Sequence, residues 1–116
     1  MDPTAASGLS DLEFHQQTGR ILSNIETTID RWLQEDVIDI DGRRTGGLLE
    51  LSFPGGSKIV INTQPPLHEL WLAARAGGYH FRHVGGRWVE REGLEFFDVL
   101  SARASEQGGC ALRFEP

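Results

Sequence analysis

The most constraining feature of this chain is a change of period along it. In its middle, apolar side chains recur at every second position. Leu49, Leu51 and Phe53 flank Glu50 and Ser52, Ile59 and Ile61 alternate with Lys58, Val60 and Asn62, and Leu70 and Leu72 alternate with Glu69, Trp71 and Ala73. On either side the spacing is helical, with Phe14, Ile21, Leu22, Ile25, Ile29 and Trp32 before and Leu94, Phe97, Val99, Leu100 and Ala104 after. Side chains of a strand point alternately to opposite faces, so these runs form strands that are apolar on one side. A sheet with one apolar face must cover it, and the two amphipathic helices are the elements able to do so.

Local signals set the boundaries. Ser10-Asp11-Leu12-Glu13 has the form of a capping box, which predicts a first helix over about 11–34 behind a loose tail over 1–9. Gly108-Gly109 ends a second helix over about 93–107. Four glycine pairs, Gly46-Gly47, Gly55-Gly56, Gly77-Gly78 and Gly85-Gly86, read as hairpin turns, since glycine takes the positive φ that tight turns need. Tyr79–Val84 and Arg87–Glu90 complete a meander that Ile38–Asp41 is expected to start. The expected fold is α+β, a two-layer α/β sandwich with two helices on one face of an antiparallel sheet of about six strands, in the order α-β-β-β-β-β-β-α. At 116 residues this is a single domain spanning 1–116.

Charge is distributed unevenly. The net charge is −6, and residues 1–50 carry ten acids against four arginines, whereas residues 51–116 are balanced. Six carboxylates, Glu26, Asp30, Glu35, Asp36, Asp39 and Asp41, lie within sixteen residues with one base, Arg31, among them. Such a face repels nucleic acid and attracts cations or a basic protein surface. Glu26 and Asp30, four apart, share a helix face, and Asp39 and Asp41 share a face if they lie on a strand. Hard oxygen donors suit ferrous iron, magnesium, calcium or manganese, and a site with few imidazoles and no thiolates is weak and exchangeable. His15, at the start of the acidic helix, can add one nitrogen. An EF-hand reading of Asp39, Asp41 and Gly42 fails, because its first and twelfth positions would be Val37 and Leu48.

Other functions find little support in the sequence. One cysteine, Cys110, makes neither an internal disulfide nor a four-cysteine cluster site, and reads as a small apolar filler near the C-terminus. The first residues lack the pattern of a secretory signal, and no run approaches a membrane span, so a cytoplasmic protein without membrane contact is expected. No catalytic residue is assigned: there is no Ser–His–Asp order, nucleotide loop or Cys–His cluster. His80 and His83, three apart on a strand, face opposite sides. If Leu70 and Leu72 face the helices, Trp71 faces solvent, with Asn62 and Gln64 on the same side. An open tryptophan between amides suits a protein interface, and His68, beside Pro65-Pro66, belongs to its rim or to the scaffold.

One block is more specific than any pattern. Gly56-Ser57-Lys58-Ile59-Val60-Ile61-Asn62, Gln64, Pro66-Leu67-His68, Leu70-Trp71-Leu72-Ala73 and Gly77-Gly78-Tyr79-His80-Phe81 closely resemble the central block of the frataxin family of bacterial CyaY type. Glu13-Phe14-His15, Trp32 and Trp88 also look like family positions, so the resemblance covers about residues 11–107. The resemblance implies an iron-binding protein of iron–sulfur cluster assembly, with iron held weakly on an acidic ridge. It implies partners in the cysteine desulfurase and its scaffold complex, docked through Asn62, Gln64, Trp71 and His68, and a role as iron donor or sensor that modulates the desulfurase without being an enzyme. It further implies a monomer that can oligomerise with iron. The alternative is an iron-storage or ferroxidase protein. Thr27, Arg31 and Leu33 stand where other bacterial members often carry acids, which thins the ridge here.

Overall fold

The computed structural model describes residues 8–116. Helix α1 (Asp11–Gln34) is followed by β1 (Asp41–Thr45), β2 (Leu48–Ser52), β3 (Lys58–Gln64), a 3₁₀ turn (Pro65–Leu67), β4 (Glu69–Ala74), β5 (Gly77–Val84), β6 (Arg87–Val89) and helix α2 (Phe96–Gly108). The six strands form one antiparallel sheet in sequence order. Alternation places Leu49, Leu51, Ile59, Ile61, Leu70, Leu72, Phe81 and Trp88 on one face, where they join the apolar stripes of both helices in a single buried cluster. The other face carries Glu50, Asn62, Trp71 and His80, which are half-buried or exposed. The expected two-layer architecture is thus the one observed.

The capping box starts α1 where the sequence places it. The Glu13 N–H donates to Ser10 Oγ at 3.1 Å, and the Ser10 N–H donates to Glu13 Oε1 at 2.9 Å. Hydrogen bonds from the Ser10 backbone and then from its side chain hold the Glu13 carboxyl below its ordinary value. Because the folded group titrates lower than the unfolded one, its contribution to stability is complete above the unfolded value and disappears as pH falls through the folded one. Ser10→Ala keeps the backbone N–H of residue 10 and removes only the hydroxyl, so it is expected to raise the Glu13 midpoint part of the way toward the usual glutamate range, as read from its side-chain carboxyl 13C shift. An unmoved midpoint would contradict this cause.

The structure departs from the sequence reading at four places. The first strand does not start over Ile38–Asp41. Residues 38–40 form a connection, and β1 begins at Asp41. All five β1 residues are exposed, so the strand has no alternation to read. It exists because the Gly46-Gly47 turn folds it back onto β2, with Thr45 opposite Leu48. Gly47 fits there because it lacks a side chain: a Cβ would lie 2.1 Å from Thr63 Oγ1. Second, Gly77-Gly78 lie within β5, and the turn before them is Arg75-Ala76, with Ala74 opposite Gly77. The Gly85-Gly86 turn does have the expected form, with φ of 59° and 81°.

Third, α2 starts at Phe96 rather than at residue 93, because Glu90–Leu94 closes into its own turn and Glu95 caps the helix by accepting from the Phe97 N–H. Fourth, Cys110 is exposed rather than a buried filler. The apolar filling near the C-terminus comes from Leu112 and Phe114, which pack into the core from a strap without regular structure. The strap is sewn to α2 by the Phe114 N–H donating to Ser101 Oγ (2.9 Å) and the Leu112 N–H donating to Ser105 Oγ (2.9 Å). Asn24 Nδ2 on α1 donates to the Glu115 carbonyl (2.9 Å). Residues 1–7 of the expected tail lie outside the described residues. Leu9 packs against the core instead of hanging free.

Candidate functional site

Two surfaces gather the residues singled out by the sequence. The first is an acidic edge along the second half of α1 and the connection to β1. Glu26 and Asp30 stand one turn apart on α1, Glu35 caps its C-terminus, and Asp36 follows with a left-handed φ of 60°. That reversal turns the chain toward β1, which runs close beside the helix. A Cβ on Gly42 would lie 2.8 Å from Ile29 Cδ1. Asp39 and Asp41 occupy this approach. They do not share a strand face as the sequence suggested, because Asp39 precedes β1. Asp30, Glu35, Asp36, Asp39 and Asp41 are all exposed.

Among the described residues no three His, Cys, Asp or Glu side chains converge as a ready-made metal site. The edge is a concentration of charge whose exposed side chains remain free to turn toward an ion. Glu26 is the one member already engaged: Arg44 Nη1 donates to its Oε1 at 2.9 Å and to Ser23 Oγ at 3.2 Å. This pairing across from β1 was not anticipated, since Arg44 is eighteen residues away in the chain. His15 does not join the edge. It precedes Glu26 by eleven residues, roughly 16 Å along a helix axis.

The second surface is the uncovered face of the sheet. Antiparallel register sets Asn62 of β3 opposite Trp71 of β4, and Trp71 opposite His80 of β5. Trp71 lies on this face as expected but is half-buried rather than free-standing. Its ring stacks on His80 with centroids 4.0 Å apart and planes 6° apart, and its Nε1–H donates to Glu69 Oε1 at 2.8 Å. Stacking and the hydrogen bond together fix both χ angles of the indole. Gln64, half-buried, lies opposite Glu69 in the next row. His68 is held apart from this group. Its ring stacks on Phe14 (5.0 Å, 10°) and its Nε2 contacts Asp11 Oδ1 at 2.6 Å, so it ties the 3₁₀ turn to the start of α1.

Sequence reasoning missed Glu69 and His80 as parts of this surface. The signal was present: once Arg75-Ala76 is recognised as the turn, counting back from it pairs residue 71 with 80 and 69 with 82.

Residues 7–110 match the frataxin-like domain. A protein named iron–sulfur cluster assembly protein CyaY, from Albidiferax ferrireducens, is 46% identical over 105 residues, covering 90% of this chain and 96% of its own. The chain belongs to the frataxin family. A second CyaY, from Cupriavidus taiwanensis, is 47% identical over 107 residues, with 91% of this chain and 96% of the relative covered. Among solved frataxins, that of Psychromonas ingrahamii superposes with a TM-score of 0.80 at 35% identity, over 93% of this chain and all of the other. A trimeric frataxin from the yeast Saccharomyces cerevisiae, solved in complex with ferrous iron, gives a TM-score of 0.63 at 25% identity, with 88% of each chain covered. The helix-covered meander is therefore the frataxin fold, and both surfaces described above are mounted on it. No helix among the described residues is long and apolar enough to cross a membrane.

Proposed function

We propose that this frataxin serves iron–sulfur cluster assembly by carrying ferrous iron loosely on the Glu26–Asp41 edge and by docking the cysteine desulfurase and scaffold complex. Docking uses the Trp71 face, with Asn62 and Gln64 beside the indole. The protein acts as iron donor or sensor and as modulator of the desulfurase, and runs no reaction of its own. The observation that carries this reading is the division of labour. The carboxylates are exposed and unconverged, which suits cargo that must leave again, while the one ordered aromatic cluster of the open face lies on a different surface. Weak oxygen ligation also allows rapid exchange.

The test is an anaerobic titration of labelled protein with ferrous iron, followed by the desulfurase. Iron is expected to broaden amide resonances near Asp30–Asp41 and to spare those of Asn62 and Trp71, whereas the desulfurase perturbs the open face. Charge reversal at Asp30 and Asp39 is expected to weaken iron binding directly and to slow association with the desulfurase by removing long-range attraction to a basic partner surface, more so at low salt. Broadening spread evenly over the molecule would defeat the assignment of the iron edge. The Glu26–Arg44 pair supplies a finer check. Both side chains are about one-third exposed, so the pair is weak, and Arg44→Ala is expected to tighten ferrous binding by about two- to fivefold by freeing a carboxylate. Unchanged affinity would remove Glu26 from the set.

A further inference from the structure

Three side chains meet toward the outer side of the open face. Glu69 and Trp71 stand two apart on β4 and share that face, and His80 of β5 lies directly opposite Trp71. The His80 ring stacks on the indole with centroids 4.0 Å apart and planes 6° apart, and the indole N–H donates to Glu69 Oε1 at 2.8 Å. The same oxygen is 4.0 Å from His80 Nδ1, too long for a hydrogen bond but close for a pair of charges. Strand β6 pairs only with Arg82–Val84, so among the described residues no strand lies beside His80 on its outer side. The His80 side chain is 58% exposed, and protons of the solvent reach it without any opening of the fold.

Histidine is the side chain whose charge ordinarily changes between about pH 5 and 8. Two uncharged rings gain least when they lie face to face. An imidazolium in the same place is a cation over a π-face, well inside the roughly 6 Å at which such pairs attract. It also carries a proton on both nitrogens, so Nδ1–H is then available to Glu69 whichever tautomer preceded it. The other charged groups around the ring do not oppose a cation there. Arg82 follows His80 on the same face of β5, and Glu69 lies opposite Arg82. On the outer side, Glu90, Arg91 and Glu92 line the groove that His80 also lines. Three carboxylates thus surround the ring against two guanidiniums.

We propose that Glu69, Trp71 and His80 form a proton-sensitive clamp that tunes docking on the open face. When His80 is protonated, its ring is drawn to the indole face and to the Glu69 carboxylate, and the indole is held at both its face and its N–H. When His80 is neutral, the Glu69 hydrogen bond and neutral stacking remain, and the indole is freer to move. An aromatic anchor ordered beforehand loses less entropy on docking, so capture through Trp71 is tighter on the acid side of neutrality. This regulation rests on the open face being the docking surface, whereas the clamp itself does not.

The clamp is read without any partner, by 15N relaxation of the Trp71 indole N–H at about pH 8 and about pH 6. Trp32, packed on Phe114 in the core, is the internal reference. The order of the Trp71 N–H vector is expected to rise at the lower pH while that of Trp32 stays unchanged. His80→Gln is expected to abolish the rise. His80→Arg keeps a stacked cation throughout and is expected to give the ordered indole at the higher pH as well. Both substitutions fall on an exposed side chain. Equal order at both pH values in the wild type, or a rise that persists in His80→Gln, overturns the proposal. Capture of the desulfurase complex is then measured as the affinity of wild type relative to His80→Gln, which cancels titration of the partner. That ratio is expected to be about two- to fivefold larger at the lower pH, and a ratio independent of pH overturns the regulatory half. Wild-type capture by Trp71→Ala would instead refute the open face as the docking surface and leave the relaxation result standing.

Discussion

Phe114→Ala is expected to lower the free energy of unfolding by about 3–5 kcal/mol and the midpoint of thermal unfolding by roughly 10–20 °C. The ring is wholly buried and meets Trp32 edge-on at 4.7 Å between centroids, so its loss opens a cavity beside that indole. The loss is large against the usual 5–15 kcal/mol stability of a domain. Urea titration and calorimetry measure it. Ser101→Ala separates the strap's hydrogen bonding from its packing. It removes the acceptor of the Phe114 N–H at 2.9 Å, and a cost of about 1–3 kcal/mol is expected for a donor left buried and unpaired. A loss below about 1 kcal/mol for Phe114→Ala would show that the strap lies outside the cooperative unit.

Trp71→Ala is expected to weaken capture of the desulfurase complex by about thirtyfold or more, the equivalent of about 2 kcal/mol, with little change in stability. An aromatic ring immobilised before binding loses little entropy on docking, and here two neighbours hold it. Glu69→Ala removes the acceptor of the indole N–H and is expected to weaken capture by a smaller factor, about three- to tenfold. If Glu69 acts through the indole, the double substitution is no worse than Trp71→Ala alone. Titration by interferometry or calorimetry decides, and wild-type affinity in Trp71→Ala would remove the open face from the docking surface.

These two residues were legible to very different degrees. Trp71 was readable because strand alternation is local. With Leu70 and Leu72 inward, position 71 has only one direction left. The helix bounds of α1 were readable for the same reason, since the cap and the apolar stripe lie within the segment itself. Phe114 was not readable. It belongs to a seven-residue tail with no period, held by Ser101 and Ser105, whose roles appear only when the tail lies across α2. β1 was hidden because an exposed edge strand carries no alternation, and Ile38–Asp41 drew the reading away because Ile40 is buried in a connection.

By itself the sequence determined the number and type of elements, the inward face of the three central runs at 49–53, 59–61 and 70–72, the segment that holds the acidic charge, and the family. Those follow from periodicity, capping and composition, which act over a few residues. Only the tertiary structure decided that Arg44 occupies Glu26, that His15 stands far from the carboxylates, that Glu69 and His80 lock the indole, and that β5 outruns β6. Each of these depends on register or on packing between distant segments, where a displacement of one residue would change the outcome while leaving every local pattern intact.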